Sequence, residues 1–298
     1  MDLKKEITKR TTEIDAVIES FFPEEEDYAN TVREAMKYSI AGGGKRLRPM
    51  LMLETYRLFD GEGEGVEYFM AAIEMIHTYS LIHDDLPCMD DDEYRRGRKT
   101  THTVYGEAMA VLAGDGLLNY AAETALGALD SDLDASRVGR AMRVLFNKSG
   151  VNGMLGGQVA DIEAEDKAAG EVDDELIEYI HTHKTAALIE AAMMIGGILA
   201  GADTIQVNTL EKIAHNVGVA FQIQDDILDI TGSFEELGKP IGSDERNHKV
   251  TYVSLHGLDK AKADVEELSK EAIMLLHTFN NDNPFLEELL ISMIDRKK

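Results

Sequence analysis

The chain has 298 residues, of which 44% are hydrophobic, so it can build one large domain or two small ones around a substantial core. Its formal net charge of −26 argues against nucleic acid and anionic membranes as partners, although a local basic cluster can still hold an anionic substrate. The single cysteine, Cys88, excludes an internal disulfide framework, and we find neither a signal peptide nor an apolar run of about 20 residues, so we expect a cytoplasmic protein without a membrane span.

The predicted helices begin close to the start of the sequence. Apolar residues at helical spacing predict a first helix over 3–21, and Pro23 with the acidic run behind it predicts a break. A second helix is predicted from Tyr28 to about Ile40. Because the chain has only 5 prolines and no alternating strand pattern of useful length, the sequence predicts an all-α protein.

A glycine-rich turn with basic residues follows the second helix. The glycines at 42–44 permit positive φ and a close approach of the backbone to a ligand. Since Pro49 suits the first turn of a helix, Lys45 and Arg48 would lie near a helix start, where backbone N–H groups also favour anions. A helix–helix turn with ordinary surface cations would explain the same pattern.

Residues 80–100 combine acidic and basic side chains at high density, after a glycine turn at 61–65 and a helix from about Val66. The aspartates are Asp84, Asp85, Asp90, Asp91 and Asp92, and the basic residues are Arg95, Arg96, Arg98 and Lys99. Two like charges about 4 Å apart repel by roughly 4 kcal/mol at a surface-like dielectric, so the cluster indicates either a solvated loop or a bound cation. Oxygen ligands beside arginines favour Mg²⁺ and a phosphate.

Pro87 lies between the two groups of aspartates. It lacks an N–H and disfavours helical geometry at the preceding residue, so we expect the helix to break there. On an unbroken helix Asp90 would lie about 240° from Asp84 and would face away from it. A loop over 86–89 would bring Asp90 back beside Asp84.

The middle of the chain reads as further helices, predicted over 104–129, over 135–148 and from a cap at Asp173 or Asp174 to about Leu199. Asp115 lies in the first of them, where local packing explains it as well as any role in a site.

Four other polar residues of this region have no certain role. Gln158 and Asp161 could face a cavity. His181 and His183 are two positions apart on a helix and would face different ways, which argues against a shared metal ion.

A second aspartate cluster lies on an apolar helix. Asp225, Asp226 and Asp229 fall within an arc of about 100°, and the residues around them over 217–230 are mostly apolar. Because charged groups are rarely buried unless they are paired or bind a metal, this arrangement predicts a second metal site. Two such clusters, each after a long apolar helix, predict two walls of one cavity.

A polar segment with glycine and proline follows at 232–249. Loops of this length in a compact domain are more often functional than not, so we interpret it as a lid whose Lys239 and Lys249 reach a bound diphosphate. A disordered surface linker is the alternative. From Tyr252 onwards, two or three helices are expected to cover the core.

Both aspartate clusters, together with the segment GGGKRLRP at 42–49, resemble those of the trans-prenyltransferases, the short-chain isoprenyl diphosphate synthases. The likeness runs from about Ala35 to Tyr252 in a consistent order, and its separate motifs agree in spacing. It implies an isoprenoid-synthase-type helical bundle around a central cavity, formed as a single domain over 1–298. Such enzymes are normally homodimers and use Mg²⁺, expected at about three ions per site.

The resemblance also implies roles for individual residues. The metal ligands would be Asp84, Asp85, Asp90, Asp225, Asp226 and Asp229. Isopentenyl diphosphate would contact Lys45, Arg48, His77 and Arg96. The allylic diphosphate would contact Arg95, Lys184, Lys239 and Lys249, with Thr185 as a polar contact near the cation and Gln222 lining the same region of the substrate site. The catalytic set would be Asp84, Asp85, Asp90, Arg95, Lys184, Thr185, Gln222, Asp225 and Lys239.

The reaction that the resemblance implies is ionisation, condensation and elimination. Magnesium and the cationic side chains stabilise the departing diphosphate, and isopentenyl diphosphate attacks the allylic cation through its double bond. The aromatic residue five positions before the first aspartate, Tyr79, implies a floor that stops growth at C15, farnesyl diphosphate, whereas Ser80 is too small to block the cavity. Geranylgeranyl diphosphate, C20, is the alternative product.

Other functions fit less of the pattern. A terpene cyclase shares both metal clusters but has no second-substrate pocket, so Lys45, Arg48 and Arg96 argue against it. A silent regulatory subunit of a prenyl synthase would usually have lost one aspartate cluster. An acidic metal-buffering protein would need neither the arginines nor the glycine turn.

Overall fold

The computed structural model describes residues 2–22, 27–165, 167, 169–231 and 250–295. The chain divides into two compact units, which we describe separately. Unit 1 is Met1–Leu53 with Glu62–Met142, and unit 2 is Glu54–Gly61 with Arg143–Lys298. Apart from one short hairpin, the regular structure in the described ranges is helical, so the all-α prediction is confirmed. The single domain over 1–298 stays a prediction.

Unit 1 consists of helices and a hairpin, and the division of the chain falls within its helices α3 and α7. Its elements are α1 (Leu3–Ser20), α2 (Asn30–Ile40), α3 (Leu47–Leu58), α4 (Val66–Asp84), β1 (Tyr94–Arg95), β2 (Arg98–Lys99), α5 (Thr101–Tyr105), α6 (Glu107–Gly127) and the first part of α7 (Ala135–Ser149).

Helix α4 forms the core of unit 1 because most of its residues are buried and most of those are apolar. Phe69, Met70, Ile73 and Ile76 are at most 1% exposed, and burying one such side chain contributes roughly 1.5–3 kcal/mol. The helix packs against α1, α2 and α6. Several buried positions of α6 are alanines, such as Ala113, which leave room for these large side chains. The polar end of α4 is thereby carried on a rigid element.

The prediction of one helix over 104–129 is wrong in one respect. The structure has two helices there, α5 and α6, which are separated at Gly106. This glycine adopts φ 84°, a conformation that ends α5 and that side-chain-bearing residues rarely adopt. Helix α6 then begins at once at Glu107.

The hairpin is an addition to what the sequence predicted. Strands β1 and β2 pair antiparallel, with Arg95 opposite Arg98. The two residues between them, Arg96 and Gly97, have φ values of 53° and 75°. Positive φ at both central positions is the geometry of a type I′ turn, which matches the twist of the strands it joins.

The regular structure in the described residues of unit 2 is helical. Its elements are the ends of α3 and α7, α8 (Met154–Glu165), α9 (Asp174–Ile180), a π-helix (His181–Ala186), α10 (Ala187–Ala200), α11 (Thr204–Thr231), α12 (Tyr252–His256), α13 (Leu258–Leu276) and α14 (Pro284–Ile294). Short 3₁₀ turns lie at Ala128–Asp130 in unit 1 and at Ala169–Glu171 in unit 2.

Helix α11 is the centre of unit 2. It packs against α10, α13 and α14, and its buried face carries Leu210, Ile213 and Val217. Helix α10 is buried at every position from Ala187 to Leu199. A helix that is apolar on all sides is a core helix in a globular unit.

The predicted helix that ends near Leu199 begins as expected, because the Asp173 carboxylate accepts a hydrogen bond from the Leu176 N–H at 3.0 Å. Its middle differs from a regular α-helix, since His181–Ala186 form a π-helix. The π-helix lies where α8 and α11 pack against this stretch.

Judged by length and composition alone, the stretch Asp174–Ala200 is apolar enough to cross a membrane, and it is the one such helix among the described residues. Of its most apolar window, 78% is buried inside the structure. Core helices commonly pass this test, so the observation is weak evidence for a membrane span.

Candidate active site

The first aspartate cluster begins where α4 ends. Asp85 caps the helix, and the Met89 N–H donates to the Leu86 carbonyl at 2.8 Å, which closes a tight turn around Pro87. The Asp90 N–H then donates to the Asp84 carbonyl at 2.8 Å. The backbone of Asp90 therefore returns beside Asp84, as the position of Pro87 predicted.

The two neighbouring aspartates of this cluster lie in different environments. Asp85 is buried, and its Oδ1 accepts from Arg95 Nε at 2.6 Å. Burial raises the pKa of Asp85, and Arg95 offsets only part of that shift. Asp84 is partly exposed and Asp90 is exposed. Asp84 and Asp90 are therefore the more accessible carboxylates, whereas Asp85 holds Arg95.

The glycine turn of unit 1 contacts the hairpin. Gly43 and Gly44 adopt φ values of 80° and 136°. The Arg96 guanidinium donates to the Gly43 carbonyl, and a Cβ on Gly44 would lie 2.4 Å from Arg96 Nη1. Only glycine leaves room for the guanidinium at this position. The turn and Arg96 thus form one packed unit.

A polar cleft in unit 1 lies among these elements, with about 520 Å³ of empty space that is partly open solvent. Its walls include Gly43, His77, Asp85, Arg95 and Arg96. The structure therefore brings together most of the residues that the sequence assigned to the substrates in this unit.

Two assigned cations do not line the cleft. Lys45 is exposed, and its carbonyl accepts a hydrogen bond from the Thr11 hydroxyl at 3.2 Å. Arg48 lies in the first turn of α3, and its Nε is buried without a hydrogen-bond partner. A buried donor without an acceptor is costly and fits a residue that waits for an anionic ligand.

The histidine of the cleft is surrounded by arginines. Burial lowers the pKa of His77 well below its usual range, and the positive charges of Arg48, Arg96, Arg46 and Arg95 lower it further. Burial also lowers the pKa of Arg48 and of Arg96. His77 is therefore neutral at pH 7, and the site's positive charge is carried by guanidinium groups, which bind phosphate oxygens well.

The second aspartate cluster, on α11, also contains both accessible and buried carboxylates. Asp225 is partly exposed, whereas Asp226 and Asp229 are 6% and 3% exposed. The Tyr252 N–H, at the start of α12, donates to Asp226 Oδ2 at 2.8 Å. His181 Nε2 lies 3.9 Å from the same oxygen. Asp225 is the most accessible of the three.

The π-helix presents two of the predicted residues of unit 2. Lys184 Nζ donates to Asp161 Oδ2 at 2.5 Å, and the Thr185 hydroxyl donates to Gln222 Oε1 at 2.9 Å. Lys184, Thr185 and Gln222 thus lie together, as the sequence analysis expected. Asp161, which is 3% exposed, is the partner that sequence reasoning did not assign.

Two glycines explain the π-helix. A Cβ on Gly157 of α8 would lie 2.1 Å from the Lys184 backbone nitrogen, and a Cβ on Gly218 of α11 would lie 2.5 Å from the Ala186 Cβ. Both helices therefore press directly on the π turn. Such turns are frequent at functional sites. Gly157 lies directly before Gln158 and four residues before Asp161, the two residues that the sequence analysis named as possible cavity residues.

His181 and His183 of the π-helix contact different groups, as their spacing of two residues predicted. His181 is buried near Asp226. The His183 ring stacks on Tyr179 with 3.9 Å between centroids.

The proposed chain-length residues lie on α4. Tyr79 is 7% exposed, and its ring meets His83 edge-on at 5.8 Å. A Cβ on Gly114 of α6 would lie 2.0 Å from His83 Nε2, so that glycine makes room for the histidine. Ser80 is partly exposed and donates to the His77 carbonyl at 2.9 Å. Lys239 and Lys249 lie outside the described residues.

The donor chemistry of both clusters fits a hard cation. Asp84, Asp90 and Asp225 offer accessible carboxylate oxygens, which are the ligands that Mg²⁺ prefers. In the described part of the chain, no group of three histidine, cysteine, aspartate or glutamate side chains is placed to hold a metal by itself. This fits an ion that takes one or two carboxylates and completes its shell with substrate phosphates and water.

A family model described as polyprenyl synthetase matches residues 29–284. The chain belongs to the polyprenyl synthetase family. It is 44% identical over 271 residues to the farnesyl diphosphate synthase of Bacillus subtilis (strain 168), covering 91% of this chain and 90% of that protein. It is 46% identical over 252 residues to a chloroplastic geranylgeranyl pyrophosphate synthase of Capsicum annuum, covering 85% and 68%.

A solved member of this family supports the same fold. The geranyltransferase from Helicobacter pylori, complexed with magnesium and isoprenyl diphosphate, matches with a TM-score of 0.82 at 30% identity and covers 99% of this chain and 97% of that one. This polyprenyl synthetase is thus an all-α trans-prenyl synthase. Its relatives are named for products of both lengths, so the product is not fixed by similarity alone.

Proposed function

We propose that this prenyl synthase condenses isopentenyl diphosphate with dimethylallyl and geranyl diphosphate to give farnesyl diphosphate. The observation that carries the proposal is the cleft of unit 1, in which Arg95, Arg96 and His77 lie beside an aspartate cluster. Cationic donors next to accessible carboxylates suit a diphosphate that is bound together with Mg²⁺.

Isopentenyl diphosphate is assigned to Arg48, Arg96, His77 and Lys45. The buried Arg48 Nε offers a donor for a phosphate oxygen. Burial and then the neighbouring arginines lower the pKa of His77, so it offers a neutral N–H donor rather than a charge. The substrate carries its own nucleophile, the double bond, so no protein nucleophile is required at this position.

The allylic diphosphate is assigned to magnesium held by Asp84, Asp90 and Asp225, the accessible members of the two clusters. Asp85, Asp226 and Asp229 are buried; Asp85 accepts a hydrogen bond from Arg95, and Asp226 accepts one from the Tyr252 N–H. Magnesium, when bound, neutralises charge that develops on the departing diphosphate. Arg95 and Lys184 add positive charge, Thr185 and Gln222 supply polar contacts, and Lys239 and Lys249 are assigned to the same diphosphate.

The proposed reaction breaks the allylic C–O bond and leaves an allylic cation and diphosphate. The double bond of isopentenyl diphosphate then forms the new C–C bond, and a proton passes to the released diphosphate. The chain's residues orient both substrates and stabilise the leaving group, which is electrostatic catalysis.

Product length is assigned to Tyr79. Its buried position on α4 and its edge-on contact with His83 support a fixed floor below the first cluster. Geranylgeranyl diphosphate is the second candidate, supported by the similarity to the Capsicum annuum enzyme.

A homodimer in the cytoplasm is also proposed. Helix α8 exposes a stripe of apolar residues at helical spacing, Leu155, Val159 and Ile162. Exposed apolar stripes of this kind are typical of surfaces that a partner covers. The exposed free thiol of Cys88 fits a reducing compartment.

The test is an incubation of the purified chain with Mg²⁺, dimethylallyl diphosphate and labelled isopentenyl diphosphate. Product length is read after dephosphorylation, with Asp84→Ala and Tyr79→Ala as variants. We expect a C15 product, a loss of at least about a hundredfold in kcat for Asp84→Ala, and longer products from Tyr79→Ala.

Each other outcome removes a defined part of the proposal. A C20 product from the wild-type chain would remove Tyr79 as the floor and leave the reaction in place. Binding of both substrates without any condensation would favour a silent regulatory subunit.

A further inference from the structure

Among the three cations of the segment GGGKRLRP, Arg46 is buried in unit 1, whereas Arg48 is partly exposed and Lys45 is exposed. The side chain of Arg46 is 4% exposed, and its backbone adopts φ 48°, in the left-handed region. A residue with a Cβ pays roughly 1–2 kcal/mol for that conformation. Such strain persists only where the surroundings fix the residue firmly.

Three hydrogen bonds hold Arg46 to three different helices. Nε donates to Asp15 Oδ1 of α1 at 2.7 Å, and Nη1 donates to Glu74 Oε1 of α4 at 2.7 Å. Nη2 donates to the Ile40 carbonyl at the end of α2, at 2.6 Å. The planar guanidinium has the donor geometry to join three acceptors at once, which a lysine cannot reproduce.

These bonds engage every nitrogen of the guanidinium with protein. These three bonds and the burial of the side chain commit Arg46 to protein partners, although it borders the cleft, so Arg46 is less suited than its neighbours to bind a diphosphate directly. Its neighbours differ: Lys45 is exposed, and Arg48 has a buried donor without an acceptor.

Glu74 shows why this pairing matters for the cleft. It is 3% exposed and lies one turn before His77 on α4. Its charge acts favourably on Arg46, Arg48 and Arg96, but its hydrogen bond goes to Arg46. Glu74 therefore compensates part of the positive charge without occupying the donors of Arg48 and Arg96.

We propose that Arg46 is a positioning residue for isopentenyl diphosphate, anchoring the glycine turn through Asp15, Glu74 and the Ile40 carbonyl so that Lys45 and Arg48 are aligned to bind the diphosphate. This inference rests on the proposed function. It predicts a selective defect in the use of isopentenyl diphosphate when the anchor is weakened.

The experiment weakens the anchor in two ways. Asp15→Asn removes the charge of one partner, and Asp15 is 46% exposed at its side chain, so the variant is expected to fold. Arg46→Lys keeps the positive charge but removes the planar guanidinium that donates to three acceptors. We expect the KM for isopentenyl diphosphate to rise about threefold to tenfold in Asp15→Asn and more in Arg46→Lys. The KM for the allylic substrate should stay within about twofold of the wild type in Asp15→Asn.

The matched control is Glu13→Gln, which removes another carboxylate from α1. Glu13 pairs with Lys9 on the surface, and both side chains are more than half exposed. This variant should leave both KM values unchanged. An unchanged KM for isopentenyl diphosphate in folded Asp15→Asn, or equal changes for both substrates, would overturn the proposal.

Equilibrium binding separates this inference from the proposed function. The affinity of each variant for isopentenyl diphosphate is measured by calorimetry without an allylic substrate. If the wild-type chain binds isopentenyl diphosphate but condenses nothing, the proposed function has failed, and weaker binding in Asp15→Asn would still support the anchor. Equal affinities of Asp15→Asn and Glu13→Gln for isopentenyl diphosphate would contradict the positioning role of Arg46.

Discussion

Single buried carboxylates recur in both units, each hydrogen-bonded to a cation. Asp85 holds Arg95, Asp161 holds Lys184, and Glu190 of α10 holds Lys148. Removing one member of such a pair leaves the other charge without compensation, which typically costs several kcal/mol. These pairs fix the orientation of their cations, and two of those cations, Arg95 and Lys184, belong to the candidate site.

Glu190 provides a test of this effect away from the site. It is 3% exposed, and His215 Nδ1 lies 3.1 Å from its Oε1. Burial alone would raise its pKa, but His215 and Lys148 more than offset burial, so the pKa lies below its usual 4.5. The stabilising contribution of Glu190 is therefore present above about pH 4.5 and is lost as the pH falls through the folded-state pKa.

Glu190→Gln should lower the free energy of unfolding by about 3 kcal/mol at pH 7. The deficit relative to the wild type should shrink at pH 4, because the carboxyl of Glu190 then binds protons in the unfolded wild-type chain more readily than in the folded one. Urea unfolding at the two pH values measures both effects. Glu266→Gln, which breaks an exposed pair with Lys270 on α13, is the control and should change little. An equal deficit for Glu190→Gln at both pH values would contradict this account.

At the scale of elements, the π-helix shows how neighbouring helices change local structure. The sequence from Asp174 to Ala200 was predicted as one helix, and its polar run at 181–185 contains neither glycine nor proline that would indicate a change of helix type. The π turn arises where Gly157 and Gly218 bring α8 and α11 against it. Its position places Lys184 beside Asp161 and Thr185 beside Gln222.

Gly157→Ala should disrupt this turn. The new methyl group would lie 2.1 Å from the Lys184 backbone nitrogen and 2.6 Å from the His183 carbonyl carbon, and backbone cannot move aside as a flexible side chain can. We expect a loss of stability of about 1–3 kcal/mol and a fall in kcat of about tenfold or more, because Lys184 is displaced. Thermal unfolding and steady-state kinetics measure the two effects.

Gly139→Ala is the matched control, since Gly139 lies within α7 and a Cβ there would meet no atom within 4 Å. Alanine should stabilise that helix by up to about 1 kcal/mol and leave the kinetics unchanged. Wild-type stability and activity in Gly157→Ala would show that the contact with the π turn is dispensable.

At the scale of the whole molecule, a net charge of −26 disfavours self-association, so a dimer would need a specific apolar contact. The α8 stripe offers one. Val159→Glu should convert a dimer into a monomer in analytical ultracentrifugation, since a charge in an apolar interface is costly. Ile205→Glu is the control: Ile205, at the start of α11, is 78% exposed, and the same charge there should leave the assembly unchanged. A monomeric wild-type chain would contradict the dimer proposal.

Much of the site could be predicted from the sequence because its charges are unusual. Five aspartates within residues 84–92 and three on the apolar side of α11 are visible without a structure. The return of Asp90 to Asp84 was predictable because Pro87 acts locally. Which aspartates of each cluster are accessible and which are buried could not be predicted. The burial of Asp85 and Asp226 depends on their contacts with Arg95 and Tyr252.

The role of Arg46 was hidden for a similar reason. In the segment GGGKRLRP, Lys45, Arg46 and Arg48 look alike as cations, and nothing local separates an anchor from a ligand. The partners that decide the difference, Asp15 and Glu74, lie 31 and 28 residues away in the chain. Contacts of this kind are set by packing of helices and are invisible to spacing rules.

The hairpin turn gives its two arginines separate duties. Arg95, the last residue of β1, contacts Asp85, whereas Arg96, the first residue of the turn, contacts the Gly43 carbonyl. The positive φ of Arg96 and Gly97 reverses the chain directly after Arg95. Two consecutive arginines can therefore bind different parts of unit 1, one beside the aspartates and one beside the glycine turn.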